Sequence, residues 1–329
     1  MFNQTKKYTS LIFCLGFGLI FSFIFNQFNH NLALAGSSEL IAQNPEIAKG
    51  VTQVNLIQAI VLGFVQGATE FIPISSTAHL TAMPIFFGWG DPGVSFIAVI
   101  QLGSVAAVLS YFWSDLSQIT GGMIKAVRTS DYDSQDFWLA LGIGVGTIPI
   151  VALGLVLKIF EPGFYENTLR SMPSIAIVSI VMALLLALAE SIGNQKRNFK
   201  DLTVKDGIFV GLAQALAIIP GVSRSGSTMT AGLFNNLDRS TAARFSFLLG
   251  IPAILLSGLV ELKELLTPVE GESFALLPLI GGLISSAVFS YLAIAWLLEF
   301  LKRRSTWVFV WYRLAFGVLI LVAVSQGWI

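Results

Sequence analysis

The chain of 329 residues is 55% hydrophobic and only 12% charged, with a mean hydropathy of +0.78, which leaves too few charges to cover a water-soluble domain. Apolar runs of roughly 20 residues recur along it without the period-two alternation of a β-barrel, so it reads as an all-α polytopic membrane protein. Formal net charge is zero, and the absence of a basic tract or nucleic-acid module gives no electrostatic case for a nucleic-acid partner.

The N-terminus is expected to be a targeting segment. Lys6 and Lys7 precede an apolar run from Leu11 to Phe25, and Ala33-Leu34-Ala35 offers a small-x-small cleavage site before Gly36; a retained anchor helix is the alternative. Either way, residues 1–50 are a leader or anchor plus a linker, and the functional body starts near Val51. The one cysteine, Cys14, lies in this stretch and cannot form a disulfide within the chain.

Six segments are predicted to span: 93–113, 137–157, 173–190, 242–262, 274–300 and 306–326. The connection 114–136 carries Lys125 and Arg128, 191–206 carries Lys196, Arg197, Lys200 and Lys205, and 301–305 carries Lys302, Arg303 and Arg304. The positive-inside rule makes these cytoplasmic. The alternate connections, 158–172 and 263–273, are poorer in positive charge, and the second holds Glu264, Glu270 and Glu272; they are expected outside.

Two apolar stretches, 51–90 and 207–240, do not fit as simple crossings. Each must return to the face it entered, so each is predicted to be a re-entrant helix hairpin, and the two enter from opposite faces. At an offset of 148, Gly63, Gln66, Ser75 and Thr77 fall opposite Gly211, Gln214, Ser223 and Ser225. That suggests an inverted-topology repeat, about 51–190 and 207–329 within a single membrane domain of 51–329, with a cavity where the hairpins meet.

Between Val51 and Gly90 the only Asp, Glu, Lys or Arg is Glu70; between Gly207 and Leu237 the only one is Arg224. A lone charge at bilayer depth marks a functional site with a partner to be named, and here the two opposite charges are expected to meet. A bare ion pair joining the repeats is the bland alternative. Against it stand the hydroxyls around both charges, seven in all: Ser75, Ser76 and Thr77 in the first hairpin, and Ser223, Ser225, Ser227 and Thr228 in the second. Pro73 and Pro220 halt the incoming helices, so the serines sit where new helices begin. Helix N-termini with hydroxyls and a guanidinium suit a phosphate. His79 is the only imidazole in the body, since His30 falls in the leader. Gln66, one turn before Glu70, would donate to a phosphate oxygen, orient the carboxylate, or pack. Arg313, two turns into the last span, is assigned a structural role, pairing or snorkelling toward the cytoplasm. Trp307, Trp311 and Trp328 read as interfacial anchors.

The segments QGATEFIPISSTAHL, AIIPGVSRSGST and RFSFLLGIP together resemble the bacterial undecaprenyl-diphosphatase family associated with bacitracin resistance, from about Val54 to the C-terminus. The resemblance implies hydrolysis of undecaprenyl diphosphate to the monophosphate lipid carrier used in peptidoglycan synthesis, in the bacterial plasma membrane. It places the family's catalytic acidic residue on Glu70, its candidate nucleophile on Ser76, its histidine on His79 and its phosphate-binding arginine on Arg224. Some members carry a second glutamate where this chain has Gln66, so a divalent cation, magnesium or calcium, stays open. A homodimer stays open too.

The expected chemistry has Arg224, Ser223, Ser225 and nearby N–H groups, with Gln66, Ser75, Thr77 and Thr228 around them, holding the diphosphate. Ser76 attacks the terminal phosphorus while Glu70 or His79 accepts its proton; a water activated by Glu70 is the other nucleophile. A carrier or flippase using the same phosphate site is the rival class, and the site is expected to be reached from the outer side.

Overall fold

The computed structural model describes residues 54–160, 170–266 and 275–328. The expected leader with Cys14, and most of the two connections expected outside, lie beyond these residues. The described chain is helical in the order α1 (Leu56–Glu70), α2 (Ser76–Phe86), α3 (Val94–Tyr111), α4 (Trp113–Thr129), α5 (Gln135–Phe160) and α6 (Met172–Ile192), then α7 (Val204–Ala215), α8 (Arg224–Phe234), α9 (Arg239–Leu266), α10 (Leu276–Leu301) and α11 (Trp307–Ser325). Among the described residues, α5, α6, α9, α10 and α11 are each long and apolar enough to cross a membrane.

The first expected span is replaced by a bent pair of helices. Helix α3 covers it, but at Phe112 the chain bends by 67° into α4 instead of entering a loop. Much of the connection expected at 114–136 is therefore helix: α4 is amphipathic, and it buries Ile119 and Ala126 while turning Ile124 and Val127 outward.

Both anomalous stretches fold as helix–turn–helix hairpins, and their landmarks recur at the offset of 148. Asn55 caps α1 in a capping box with Gln58, and Thr203 caps α7 in one with Asp206. α2 runs Ser76–Phe86 and α8 runs Arg224–Phe234. Their N-caps, Ser75 and Ser223, both have positive φ, 75° and 68°, and each side chain accepts from the N–H three residues on. Two chains that turn back on a non-glycine residue at positive φ are under the same unusual constraint.

The two expected halves pack reciprocally. α1 lies on α10 of the second half, while α7 lies on α5 of the first; α6 packs on α11 and α3 on α9. The crossings are tight because side chains are missing there. A Cβ on Gly63 would strike the Gly282 carbonyl, and one on Gly211 would strike the Gly146 carbonyl. Close approach of small residues substitutes for the hydrophobic drive that lipid does not supply.

One end of the bundle is pinned by ion pairs. Arg239 at the start of α9 meets Glu190 at the end of α6, and Glu190 also accepts from the Thr306 hydroxyl at 2.8 Å. Arg244 pairs with Asp115 and lies over the Phe199 ring. Arg197 grips both carboxylate oxygens of Asp206, at 2.7 and 2.6 Å. Burial alone would raise the Asp206 carboxyl, but hydrogen bonds from Arg197 and Thr203 outweigh it and hold the group below the ordinary carboxylate range.

Candidate functional site

The two turns converge on one site. Helix α1 ends at Glu70, the chain turns through Phe71-Ile72-Pro73-Ile74, and Ser76 begins α2; on the other side Pro220-Gly221-Val222 makes the turn and Arg224 begins α8. Ser76 and Arg224 therefore hold equivalent first positions in equivalent helices, and Glu70 lies between them.

Ser76 Oγ donates to Glu70 Oε2 at 2.6 Å. Gln66 Nε2 donates to the same oxygen at 3.2 Å. The other oxygen, Oε1, faces Arg224 Nη2 at 3.5 Å. At that separation the attraction is that of an ion pair, not of a tight hydrogen bond. The Glu70 and Arg224 side chains retain 13% and 10% exposure, so the pair is sheltered yet reachable.

Arg224 is seated by a glycine. A Cβ on Gly250, in the middle of α9, would overlap the guanidinium at Nη1. That nitrogen is buried and has no hydrogen-bond partner. The RFSFLLGIP segment thus supplies the recess in which the arginine lies.

The remaining hydroxyls sort into two kinds. Ser76 and Thr77 lie at the accessible end of α2. Ser75, Ser223, Ser225 and Thr228 are buried and already engaged: Ser75 and Ser223 cap their helices, and Ser225 donates toward the Glu70 and Ile72 carbonyls at 3.4 and 3.2 Å. Thr228 is bonded to the Arg224 carbonyl at 2.7 Å and to the Ser246 hydroxyl at 2.5 Å. These four build the turns. Gln66 is 1% exposed and bonded to Glu70 and Ser104.

His79 does not point at Glu70. Its Nδ1 lies 2.7 Å from the Ser75 carbonyl and its Nε2 lies 2.6 Å from the Tyr312 hydroxyl. A carbonyl only accepts, so Nδ1 carries the hydrogen and, in the neutral ring, Nε2 accepts from the tyrosine. The imidazole is also stacked on Phe316 at 4.3 Å between centroids.

Arg313 neither snorkels nor seeks a carboxylate. It is 1% exposed, and its guanidinium donates to the Pro73 carbonyl at 3.3 Å, to Gly221 at 2.7 Å and to Val222 at 3.1 Å. One side chain from α11 therefore satisfies turn carbonyls from both hairpins. The assignment of a structural role holds, by a bonding pattern different from the expected one.

Sequence reading missed Tyr312, Gly250 and the buried serines Ser104, Ser286 and Ser290. The last two, one turn apart on α10, carried a usable signal, because paired hydroxyls on one face of an apolar span need partners. Among the described residues, no three His, Cys, Asp or Glu side chains gather as metal ligands. Glu70 is the one carboxylate at the turns, and its oxygens are already taken by Ser76, Gln66 and Arg224, so the protein's donor set does not by itself fit a divalent cation.

The chain is similar to proteins called undecaprenyl-diphosphatase from Synechocystis sp., at 64% identity over 85% of this chain and 86% of the relative, and from Nostoc sp., at 62% over 84% and 87%. One from Trichormus variabilis is 59% identical over 88% of this chain and 90% of its own length. The family model described as bacitracin resistance protein BacA matches residues 59–319, a stretch that contains both hairpin turns and the RFSFLLGIP segment. With a match of that extent, the chain belongs to the bacitracin resistance protein BacA family.

Proposed function

We propose that this membrane protein hydrolyses undecaprenyl diphosphate to undecaprenyl phosphate and inorganic phosphate, regenerating the lipid carrier for peptidoglycan and other wall polymers and so conferring bacitracin resistance. Support comes from the family and from the names of its close relatives. The observation that carries it in this chain is the 2.6 Å hydrogen bond from Ser76 to Glu70. A hydroxyl bonded to a carboxylate between two converging hairpin turns has the arrangement that a nucleophile and its base require, and this supports those roles for Ser76 and Glu70.

The terminal phosphate sits between Arg224 and the N-terminus of α2, with Thr77 beside it. Ser76 Oγ bonds to the terminal phosphorus as the bond from phosphorus to the bridging oxygen breaks. Glu70 takes the serine proton and passes it to the departing undecaprenyl phosphate. Water then attacks the phosphoserine, Glu70 receives its proton, and the proton returns to Ser76 as phosphate leaves. Arg224 and the amides that open α2 and α8, which no helix carbonyl engages, stabilise the equatorial oxygens. His79, committed to Ser75 and Tyr312, aligns α2 instead of taking the serine proton.

The protein resides in the bacterial plasma membrane with its basic connections in the cytoplasm, and the first hairpin admits the lipid head from the outer side. Residues 51–190 and 207–329 are its two related halves, a reading supported by the reciprocal packing and the matched hairpin landmarks.

Purified protein with undecaprenyl diphosphate in detergent tests the reading. Wild type releases phosphate, while Glu70→Gln and Arg224→Ala lose at least about a hundredfold in rate. Lipid bound but not hydrolysed by the wild type would favour the carrier. A phosphopeptide mapped to Ser76 after rapid quenching identifies the nucleophile; near-normal turnover by Ser76→Ala would hand the attack to water.

A further inference from the structure

Behind Glu70, on the far side of Gln66, lies a set of hydroxyls from which solvent is wholly excluded. Ser104 on α3 and Ser286 and Ser290 on α10 are all 0% exposed. The Ser290 hydroxyl donates to Ser104 Oγ at 2.8 Å, Gln66 Nε2 donates to the same oxygen at 3.4 Å, and Ser104 and Ser286 are 3.1 Å apart.

The donors can be ordered by counting. A hydroxyl has two acceptor lone pairs and one proton. Both lone pairs of Ser104 are filled, by Ser290 and Gln66, so its own proton goes to Ser286. The Gln66 amide has two hydrogens, one on Ser104 and one on Glu70 Oε2 at 3.2 Å. The reversed amide would set its oxygen against the carboxylate, which can only accept. The carboxylate therefore sets which way the amide faces, Ser104 anchors the amide's second hydrogen, and the anchored amide holds the carboxylate with Oε2 toward Ser76 and Oε1 toward Arg224.

We infer that Ser104, ordered by Ser290 and Ser286, is a positioning residue that acts through Gln66 to aim Glu70 at Ser76. The inference rests on the proposed role of Glu70 as the base for Ser76. It also gives this chain a use for an amide where a second carboxylate could not donate. Two of the three serines come from α10, so the aim of a group in the first hairpin is set by a helix of the second half.

The test is a cycle of variants in the phosphate-release assay. Ser104→Ala lowers kcat about tenfold with KM unchanged within about twofold, because a misdirected base slows attack without weakening phosphate binding. In a Gln66→Ala background the same substitution changes kcat less than about twofold. Ser290→Ala acts in the same direction, and it decides the matter if Ser104→Ala does not fold. Ser179→Ala removes an equally buried hydroxyl that has no partner and keeps wild-type kcat. Wild-type kcat in Ser104→Ala, equal losses in both backgrounds, a loss confined to KM, or an equal loss in Ser179→Ala would overturn the inference. A second readout is independent of turnover: the carboxylate infrared bands of Glu70, taken as wild type minus Glu70→Gln, shift on Ser104→Ala only when Gln66 is present. No shift would overturn the inference even if the wild type released no phosphate, a result that would count against the proposed function separately.

Discussion

At the scale of single residues, the site depends on groups that hold other groups. Gly250 is the clearest case. A methyl there overlaps the Arg224 guanidinium, whereas alanine itself is at ease in a helix. Gly250→Ala is expected to fold with little change in melting temperature and to lose about a hundredfold in kcat/KM, as a displaced phosphate clamp should; phosphate release at varied lipid concentration measures it. Asp206 offers a prediction on pH. Its folded carboxyl is held below the ordinary range, so the stability it contributes is fully present above the unfolded value of about 4 and is lost as pH falls through the depressed folded value. Asp206→Asn should cost about 2 kcal/mol at pH 7 and nothing in strong acid, read by thermal unfolding at both pH values. Glu70 and Arg224 were legible in the sequence because each is a lone charge in an apolar stretch. Tyr312, which lies 233 residues from His79, was not, because no local pattern announces a hydrogen bond across such a separation.

At the scale of elements, the paired turns are the informative feature. Ser75 and Ser223 each combine a helix cap with positive φ. The cap favours serine and the backbone favours glycine, so the two substitutions separate. Ser223→Gly gives up a few tenths of a kcal/mol of capping and relieves the backbone, leaving stability within about 0.5 kcal/mol of wild type. Ser223→Ala keeps the strained backbone, loses the cap and should cost about 1–2 kcal/mol, read as a lower melting temperature in detergent. The hairpins were visible in the sequence through topology and through four matched residues. The matched capping boxes were not, because Asn55 and Gln58 correspond to Thr203 and Asp206 in geometry but not in identity. The bend at Phe112 escaped notice for a related reason: a polar segment with one apolar face resembles a loop until its periodicity is followed.

At the scale of the whole molecule, the halves interlock at helix crossings that have no room for side chains, and the reacting groups lie where the hairpins meet. Replacing Gly211 by valine would press into the Gly146 carbonyl. That change is expected to lower the melting temperature and to slow phosphate release together, since it separates α7 from α5 and draws the Arg224 turn away. The Arg313 contacts bear on motion. Spin labels at Ile85 and Leu212, both exposed, should report one hairpin-to-hairpin distance that is unchanged by lipid diphosphate; Arg313→Met should broaden it and cost about 3 kcal/mol as turn carbonyls lose their donors.

A guanidinium that holds the Pro73, Gly221 and Val222 carbonyls at once acts as a rivet between the two moving parts that a shuttle would require. Swinging one half past the other would shear those bonds in a medium with no water to replace them. On the proposed hydrolytic reading, a molecule fastened in this way is a fixed anvil: the lipid comes to it and is cut where it lies, and only the freed phosphate and the shortened head group need to move.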